Sequence, residues 1–358
     1  MSVNFIDSYP KRTYSPYMGQ APRENISNLH NTAKYEVSPV TKRRRKFALF
    51  SIITCVLLWG FSFISIKESL PVFPPMTLGA VRFAIAIAVL FLMYRFSTDW
   101  QGVNKGLKSD LPLLIGSGFA GVTFYFFFEN NGVMRVTASE ASIITAAIPV
   151  LTMIADWLVA KFSFKTKFAD GNANDNISHD NTPSLGWQSW LGAFISIAGV
   201  AFVAGVSFSI SGSISGYIYM GGAAFCWVGY SLLTRPLFDR KRSRLYIVFW
   251  QNFFGFLGLL PFAMLEYKNW GNPTLPVMLH VIFLALGCSA LGYWLYAHAM
   301  EVLGVSTTSI FINLIPVVTV IAGFLVLHER LTLLQGAGAV LVLAGVYLTI
   351  LPQRDKRL

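Results

Sequence analysis

"ASEASIITAAIPVLT", Ala138 to Thr152, sets a proline in the middle of an apolar run that otherwise reads as helix, and "VSTTSIFINLIPVVT", Val305 to Thr319, sets another at the same place. A shift of 167 residues aligns the two with seven of fifteen positions identical: Ser139/Ser306, Ser142/Ser309, Ile143/Ile310, Ile148/Ile315, Pro149/Pro316, Val150/Val317 and Thr152/Thr319. Inside a helix, proline removes a backbone hydrogen bond and clashes with the carbonyl four residues back, at a cost of ~3 kcal/mol or more. A costly residue at matching points of two similar stretches marks an internal repeat and a pair of bent helices.

The surroundings of both stretches identify the solvent. Of 358 residues, 54% are hydrophobic, 15% aromatic and only 13% charged, which is not the composition of a soluble protein. Ten apolar runs follow Lys46, at about 47–66, 76–94, 111–128, 138–160, 187–206, 214–234, 245–265, 276–298, 305–327 and 331–351. Each approaches the ~20 residues needed to cross hydrocarbon, and each is continuous rather than alternating, which predicts helices and not barrel strands. The expected fold is an all-α membrane protein with ten transmembrane helices. The fifth and sixth runs, separated only by "VSFSISGSISG", are the least clearly delimited.

A net charge of +11 invites a nucleic-acid reading, but the basic residues gather at the ends of the runs, where they report topology. With the N-terminus in the cytoplasm, nineteen basic residues from Lys42 onward fall inside, among them Lys42 to Lys46, Arg95, Arg235, Arg240, Arg242 and Arg244. Only four, Lys67, Arg135, Lys268 and Arg330, fall outside. Both termini are therefore expected in the cytoplasm, with the lipid bilayer as partner, no nucleic acid, and the bacterial inner membrane as the location.

Residues 1–45 read as a disordered, basic-ended cytoplasmic tail that runs into "TKRRRK" (41–46), and 352–358 as a second tail. The span region divides into a first repeat, 46–206, with a polar cytoplasmic insertion at about 165–185, and a second, 207–351. A fainter echo relates Gly192 and Gly199 to Gly338 and Gly345 at a shift of 146, and Trp59 roughly to Trp227. Five spans per repeat is an odd number, so the second unit enters the membrane upside down. Inverted repeats of this kind build secondary transporters whose substrate site lies near midplane between the halves.

Candidate site residues follow from depth. Pro149 and Pro316 are central in their spans and would release the carbonyls of Thr145 and Ile312, either for a substrate or as a tolerated packing kink. Arg82 lies inside its span, where a charge requires a partner or water; an ion pair with Glu129 or Glu140 and a ligand role both fit it. Asp156 could pair with Lys161 or carry a proton. Asn313 could donate into a cavity or bond a neighbouring helix. Trp59, Tyr125, Trp227, Tyr230, Tyr293 and Trp294 offer ring faces to a substrate, or serve as interface belt and core.

Chemistry that is missing narrows the function. Cys55, Cys226 and Cys288 are scattered among the spans without zinc or redox spacing. No GxxxxGK[ST] is present, and "GAGAVL" from Gly336 is helix packing inside a span. The polar "DGNANDNISHDN" fails the calcium-loop pattern at its glycine and its final position. Neither metal nor cofactor is expected. An intramembrane enzyme lacks any Ser/His, paired-Asp or HExxH constellation at workable depth.

"LLWGFSF" in the first run, "AVRFA" in the second, the two proline stretches and "HERLTLLQGAGAVLVLAGVYL" at the end resemble the EamA-like family of the drug/metabolite transporter superfamily. That resemblance covers roughly residues 47–351. It implies ten helices in two repeats, alternating access, and export or exchange of small metabolites, often amino acids. One departure is clear: Glu329 closes the ninth run, whereas its 167-shifted position holds Phe162 with Lys161 beside it. The expected function is thus a secondary exporter of a small molecule, with proton coupling open and no oligomeric state assigned. Its walls are expected from the first, third, fourth, sixth, eighth and ninth spans. The alternative is an importer or exchanger of a nucleotide-like metabolite.

Overall fold

A computed structural model describes residues 39–97, 106–136, 138–169, 186–203, 213–327 and 333–350, and every regular element among them is helical. Residues 170–185 of the insertion, His328, Glu329 and Arg330, the tails up to residue 38 and from 351, and the side chains of Lys161 and Phe162 lie outside the described residues, whereas 39–45 of the expected disordered tail and 165–169 of the insertion are helical.

The first repeat runs α1 (Pro39–Ser69), α2 (Pro75–Arg95), α3 (Leu107–Gly118), a π-helical segment (Phe119–Phe124), α4 (Tyr125–Arg135), α5 (Ala138–Thr145), α6 (Ile148–Ala169) and α7 (Trp187–Val203). The second runs α8 (Ile214–Asp239), α9 (Arg244–Leu265), a 3₁₀ turn (Tyr267–Asn269), α10 (Leu275–Ile282), a π segment (Phe283–Gly292) and α11 (Tyr293–Leu303). It continues with α12 (Val305–Ile310), a 3₁₀ segment (Phe311–Asn313), α13 (Leu314–Leu327) and α14 (Leu333–Ile350). Among the described residues six segments are long and apolar enough to cross a bilayer: Lys42–Ser69, Pro75–Arg95, Leu107–Arg135, Arg244–Leu265, Leu275–Leu303 and Val305–Leu325. Parts of α6, α7 and α14 form shorter apolar helices, Ile148–Val159, Trp187–Phe202 and Gly336–Thr349. The helix α8 is long, but its Gly, Ser and Tyr content keeps it out of both groups.

Local sequence explains several boundaries. Pro75 opens α2, where a fixed φ is already helical and the missing N–H costs nothing. The α2 N-terminus has no cap of its own; Glu266, beyond the end of α9, supplies one from across the fold. Its carboxylate accepts from Met76 N at 3.0 Å, Thr77 N at 2.8 Å and Thr77 Oγ1 at 2.9 Å, a favourable placement of negative charge at a helix start.

Pro149 and Pro316 do more than kink their helices. Between α5 and α6 the chain leaves the helix at residues 146–147, and before Pro316 it tightens into the 3₁₀ segment Phe311–Asn313. Both interruptions fall where the carbonyl four residues before the proline loses its regular partner. The two broken helices run antiparallel, with α5 packing on α13 and α6 on α12, so the interruptions face each other at mid-length.

The helices α7 and α14 pack closely together. A Cβ on Gly199 would sit 2.6 Å from Val342 N and 2.8 Å from Gly338 O, and one on Gly192 2.5 Å from Gly345 O. The glycines of the faint sequence echo are thus contact partners, the close backbone approach that small residues permit between membrane helices.

At the end of the molecule where α3 begins and α8 meets α9, Asp110 is fully buried and anchors the α8–α9 turn. It pairs with Arg240 at 2.8 Å and Arg242 at 2.6 Å, and accepts from Tyr246 Oη at 3.1 Å. Asp110→Asn is expected to cost about 1–3 kcal/mol: the loss for breaking a buried pair, discounted because both arginines are partly exposed. A thermal midpoint several degrees lower in detergent is the expected reading; an unchanged midpoint would show that the turn does not depend on this charge.

Candidate functional site

The interruptions in the two proline helices open onto a cavity. Thr145 and Ile148 line it from the first break, Ile312 and Ile315 from the second, so the 167-residue repeat places equivalent residues on opposing walls. Trp59, Ser62 and Phe63 of α1, Tyr125, Phe126 and Glu129 of α4, Trp227 of α8 and Tyr293 of α11 complete it, with Arg82 of α2. The six spans expected to surround a passage all contribute, and α2 joins them. The cavity volume is about 30 Å³. Ordered water fits; a larger solute requires the walls to part.

Aromatic side chains form one boundary of this space. Trp227 lies 5.1 Å from Trp59, 4.9 Å from Tyr125, 5.0 Å from Tyr230 and 5.7 Å from Tyr293, centroid to centroid. Three of the polar tips are occupied by protein: Trp59 Nε1 donates to Cys288 O at 3.1 Å, Tyr293 Oη to Gly121 O at 2.6 Å and Trp227 Nε1 to Tyr296 Oη at 3.2 Å. Gly121 and Cys288 both sit in π segments. A π turn disturbs the regular i to i+4 ladder, and it re-aims the residues that follow it, here Tyr125 and Tyr293. No signal in the sequence announced these two segments.

Arg82 is 2% exposed. Its Nε donates to Ser289 Oγ at 2.9 Å, its guanidinium carbon lies 4.5 Å from the centroid of Phe126, and Nη1 has no hydrogen-bond partner among the described residues. Glu129, 4% exposed, accepts from Tyr125 Oη at 2.8 Å through Oε1, while Oε2 has no partner. The ion pair expected between Arg82 and a glutamate is not formed with Glu129. Stacking on Phe126 and the bond to Ser289 hold the guanidinium in place, and the salt bridges among the described residues do not include that pair. Glu140 starts the neighbouring helix α5, but its side chain lies outside the described residues.

The other candidates separate. Pro149 and Pro316 are buried and shape the wall from behind. Tyr230 is completely buried beneath Trp227, against Gly121, and does not reach the cavity. Asn313 is fully buried but outside the lining; it is the neighbouring Ile312 that faces the cavity, about 120° around the 3₁₀ segment. Both polar atoms of the Asn313 amide are without partners in the protein. Asp156, for which pairing with Lys161 and proton carriage were both open, pairs with Arg235 of α8 at 3.3 Å and accepts from Ser306 Oγ of α12. The cavity-lining residue that spacing underplayed is Glu129. Its depth relative to Arg82 was visible in the sequence, but which face of its helix it occupies was not.

Residues 46–169 and 214–351 match the EamA-like transporter family. An uncharacterized transporter of Archaeoglobus fulgidus is 25% identical, aligned over 84% of this chain and 96% of its own length. A probable amino-acid metabolite efflux pump of Escherichia coli is 24% identical, over 87% of this chain and 97% of its own. A probable terminal-alkyne amino-acid exporter of Streptantibioticus cattleyicolor is 23% identical, over 84% and 92%. A solved crystal structure superposes with a TM-score of 0.63 at 19% identity, covering 86% of this chain and 98% of that one, which establishes the shared fold. With both repeats matched and the apolar helices that the fold presents, this chain is an integral, multi-pass membrane protein and belongs to the EamA-like transporter family.

Proposed function

We propose that this chain is a secondary exporter of small metabolites, amino acids or related compounds, that works by alternating access across the cell membrane. The observation that carries the reading is the cavity at the meeting of two interrupted helices, one from each repeat, with Thr145 and Ile148 opposite Ile312 and Ile315. In this reading the ten apolar segments are ten crossings in two inverted repeats, 46–206 and 207–351. The tails, 1–45 and 352–358, and the 165–185 insertion are cytoplasmic.

The charge distribution supports this orientation. Pairs Asp110–Arg240, Asp156–Arg235 and Glu301–Arg244 gather at the basic end of the molecule, cytoplasmic by the positive-inside rule. The first two tie the repeats together on the inner side of the aromatic layer, and the third joins α9 to α11 within the second repeat. The opposite end is held by hydrogen bonds, such as those of Lys67 Nζ to Val133 O and Val136 O, each 2.9 Å. The described conformation is then the inwardly closed state, and export proceeds through a second state in which the inner ion pairs part. Exporters among the relatives support the direction.

Counterflow in proteoliposomes tests the proposal, using labelled amino acids, amines and nucleosides with and without a proton gradient. Exchange of amino acids, accelerated by an opposing proton gradient, is the expected result. Selective exchange of nucleosides would favour the importer or exchanger alternative, and no exchange of any solute would end the transporter reading. Thiols introduced into the two tails should react only from the cytoplasmic side; labelling from opposite faces would refute the inverted topology.

A further inference from the structure

Two buried, oppositely charged side chains line one small cavity without forming an ion pair with each other, and each leaves one polar atom unpartnered. Such an arrangement is expensive inside a membrane protein, since a buried charge without a partner carries most of its desolvation penalty. Among the described residues, hydrogen bonds satisfy each group only in part. On Arg82, Ser289 takes Nε and Phe126 takes a face of the guanidinium, which orients the fork and leaves Nη1. On Glu129, Tyr125 takes Oε1 and leaves Oε2. Each charge is held still by one neighbour and left incomplete by the rest, which is how a preorganised binding group differs from a structural ion pair.

We propose, building on the transporter reading above, that Arg82 and Glu129 read the two charged ends of a zwitterionic substrate. Arg82 Nη1 donates to the substrate carboxylate and Glu129 Oε2 accepts from its ammonium. The aromatic faces of Trp59, Trp227 and Tyr293 are left for the substrate side chain. Selectivity against relatives that lack one charge then follows from chemistry: an amide or amine leaves Arg82 unpaired, and an N-acylated acid leaves Glu129 unpaired. Rejection of an analogue is strong when it strands a buried charged group of the site.

The test is counterflow by the purified full chain in proteoliposomes. The probes are labelled L-leucine, L-threonine and L-phenylalanine, each competed by itself, by its carboxamide and by its N-acetyl derivative. Wild-type protein is expected to prefer the zwitterion over both derivatives by roughly 10- to 100-fold, the scale of one charge-assisted hydrogen bond in a desolvated site. Arg82→Gln should collapse the preference over the carboxamide and keep that over the N-acetyl form; Glu129→Gln should do the reverse. Should Arg82→Gln fail to fold, Arg82→Lys, which keeps the charge but loses the fork, is expected to reduce the first preference alone. Preferences that stay unchanged in the variants, or that fall together, overturn the assignment while leaving a transporter. Counterflow confined to amines or nucleosides overturns it as well, and counterflow of no solute overturns both readings.

Discussion

Gly199→Leu is expected to leave no folded protein to assay. The helices α7 and α14 meet with backbone against backbone, and a Cβ on residue 199 would lie 2.6 Å from Val342 N, 2.8 Å from Gly338 O and 2.9 Å from Leu341 Cβ. Two of those three neighbours are main-chain atoms, which no change of rotamer can move aside. The helices would have to separate along the whole seam, and dispersion contacts fall away steeply with distance. Overpacking in a core costs about 1–3 kcal/mol where side chains can adjust; a clash with main chain should exceed that. Without a hydrophobic driving force between helices in lipid, packing of this kind holds them together. Fluorescence-detected size exclusion reads the outcome: an aggregated or absent peak for Gly199→Leu, and a normal peak for Gly221→Leu and Gly336→Leu, where a Cβ meets nothing within 4 Å. A normal peak for Gly199→Leu would show that the seam is not a determinant of the fold.

Pro149→Ala and Pro316→Ala are expected to act in the opposite sense, preserving the fold and damaging transport. Alanine restores an N–H at the position where the chain now breaks, and its helix propensity exceeds that of proline by ~3 kcal/mol. The gap at residues 146–147 and the 3₁₀ segment Phe311–Asn313 would then tend to close into continuous helix. Straightening displaces Thr145 and Ile312, which line the cavity, and stiffens the two elements best placed to bend between states. We expect insertion and thermal stability at or above the wild-type level, and counterflow reduced by about tenfold in each variant, a barrier change of ~1.4 kcal/mol. Wild-type turnover in both would remove the interruptions from the mechanism.

Much of this was readable in one dimension. The hydrophobic runs, the displaced copy of the proline stretch and the uneven distribution of Lys and Arg depend on each residue's own preference for lipid or water, summed locally. The matched glycines at 192, 199, 338 and 345 were visible as a repeat, but not as one another's contact surface. Asp156 shows the limit from the other direction. Its nearest basic residue along the chain is Lys161, yet its partner is Arg235, 79 residues away, because α6 and α8 pack side by side. The cap that Glu266 places on α2 spans 189 residues and leaves no trace in either local sequence.

The amino-acid sequence by itself determined that this protein lives in a bilayer, that it is built twice from one pattern, and that its helices break near their centres at two prolines. Tertiary structure alone decided which faces of those helices meet: that Ile312 and not Asn313 looks into the cavity, and that Arg82 and Glu129 share it unpaired. The physical reason is that partition into lipid and proline's missing N–H are properties of a residue and its neighbours in the chain. The rotation of one helix against another is fixed by packing between segments far apart in sequence, and π and 3₁₀ turns shift it by a residue at a time.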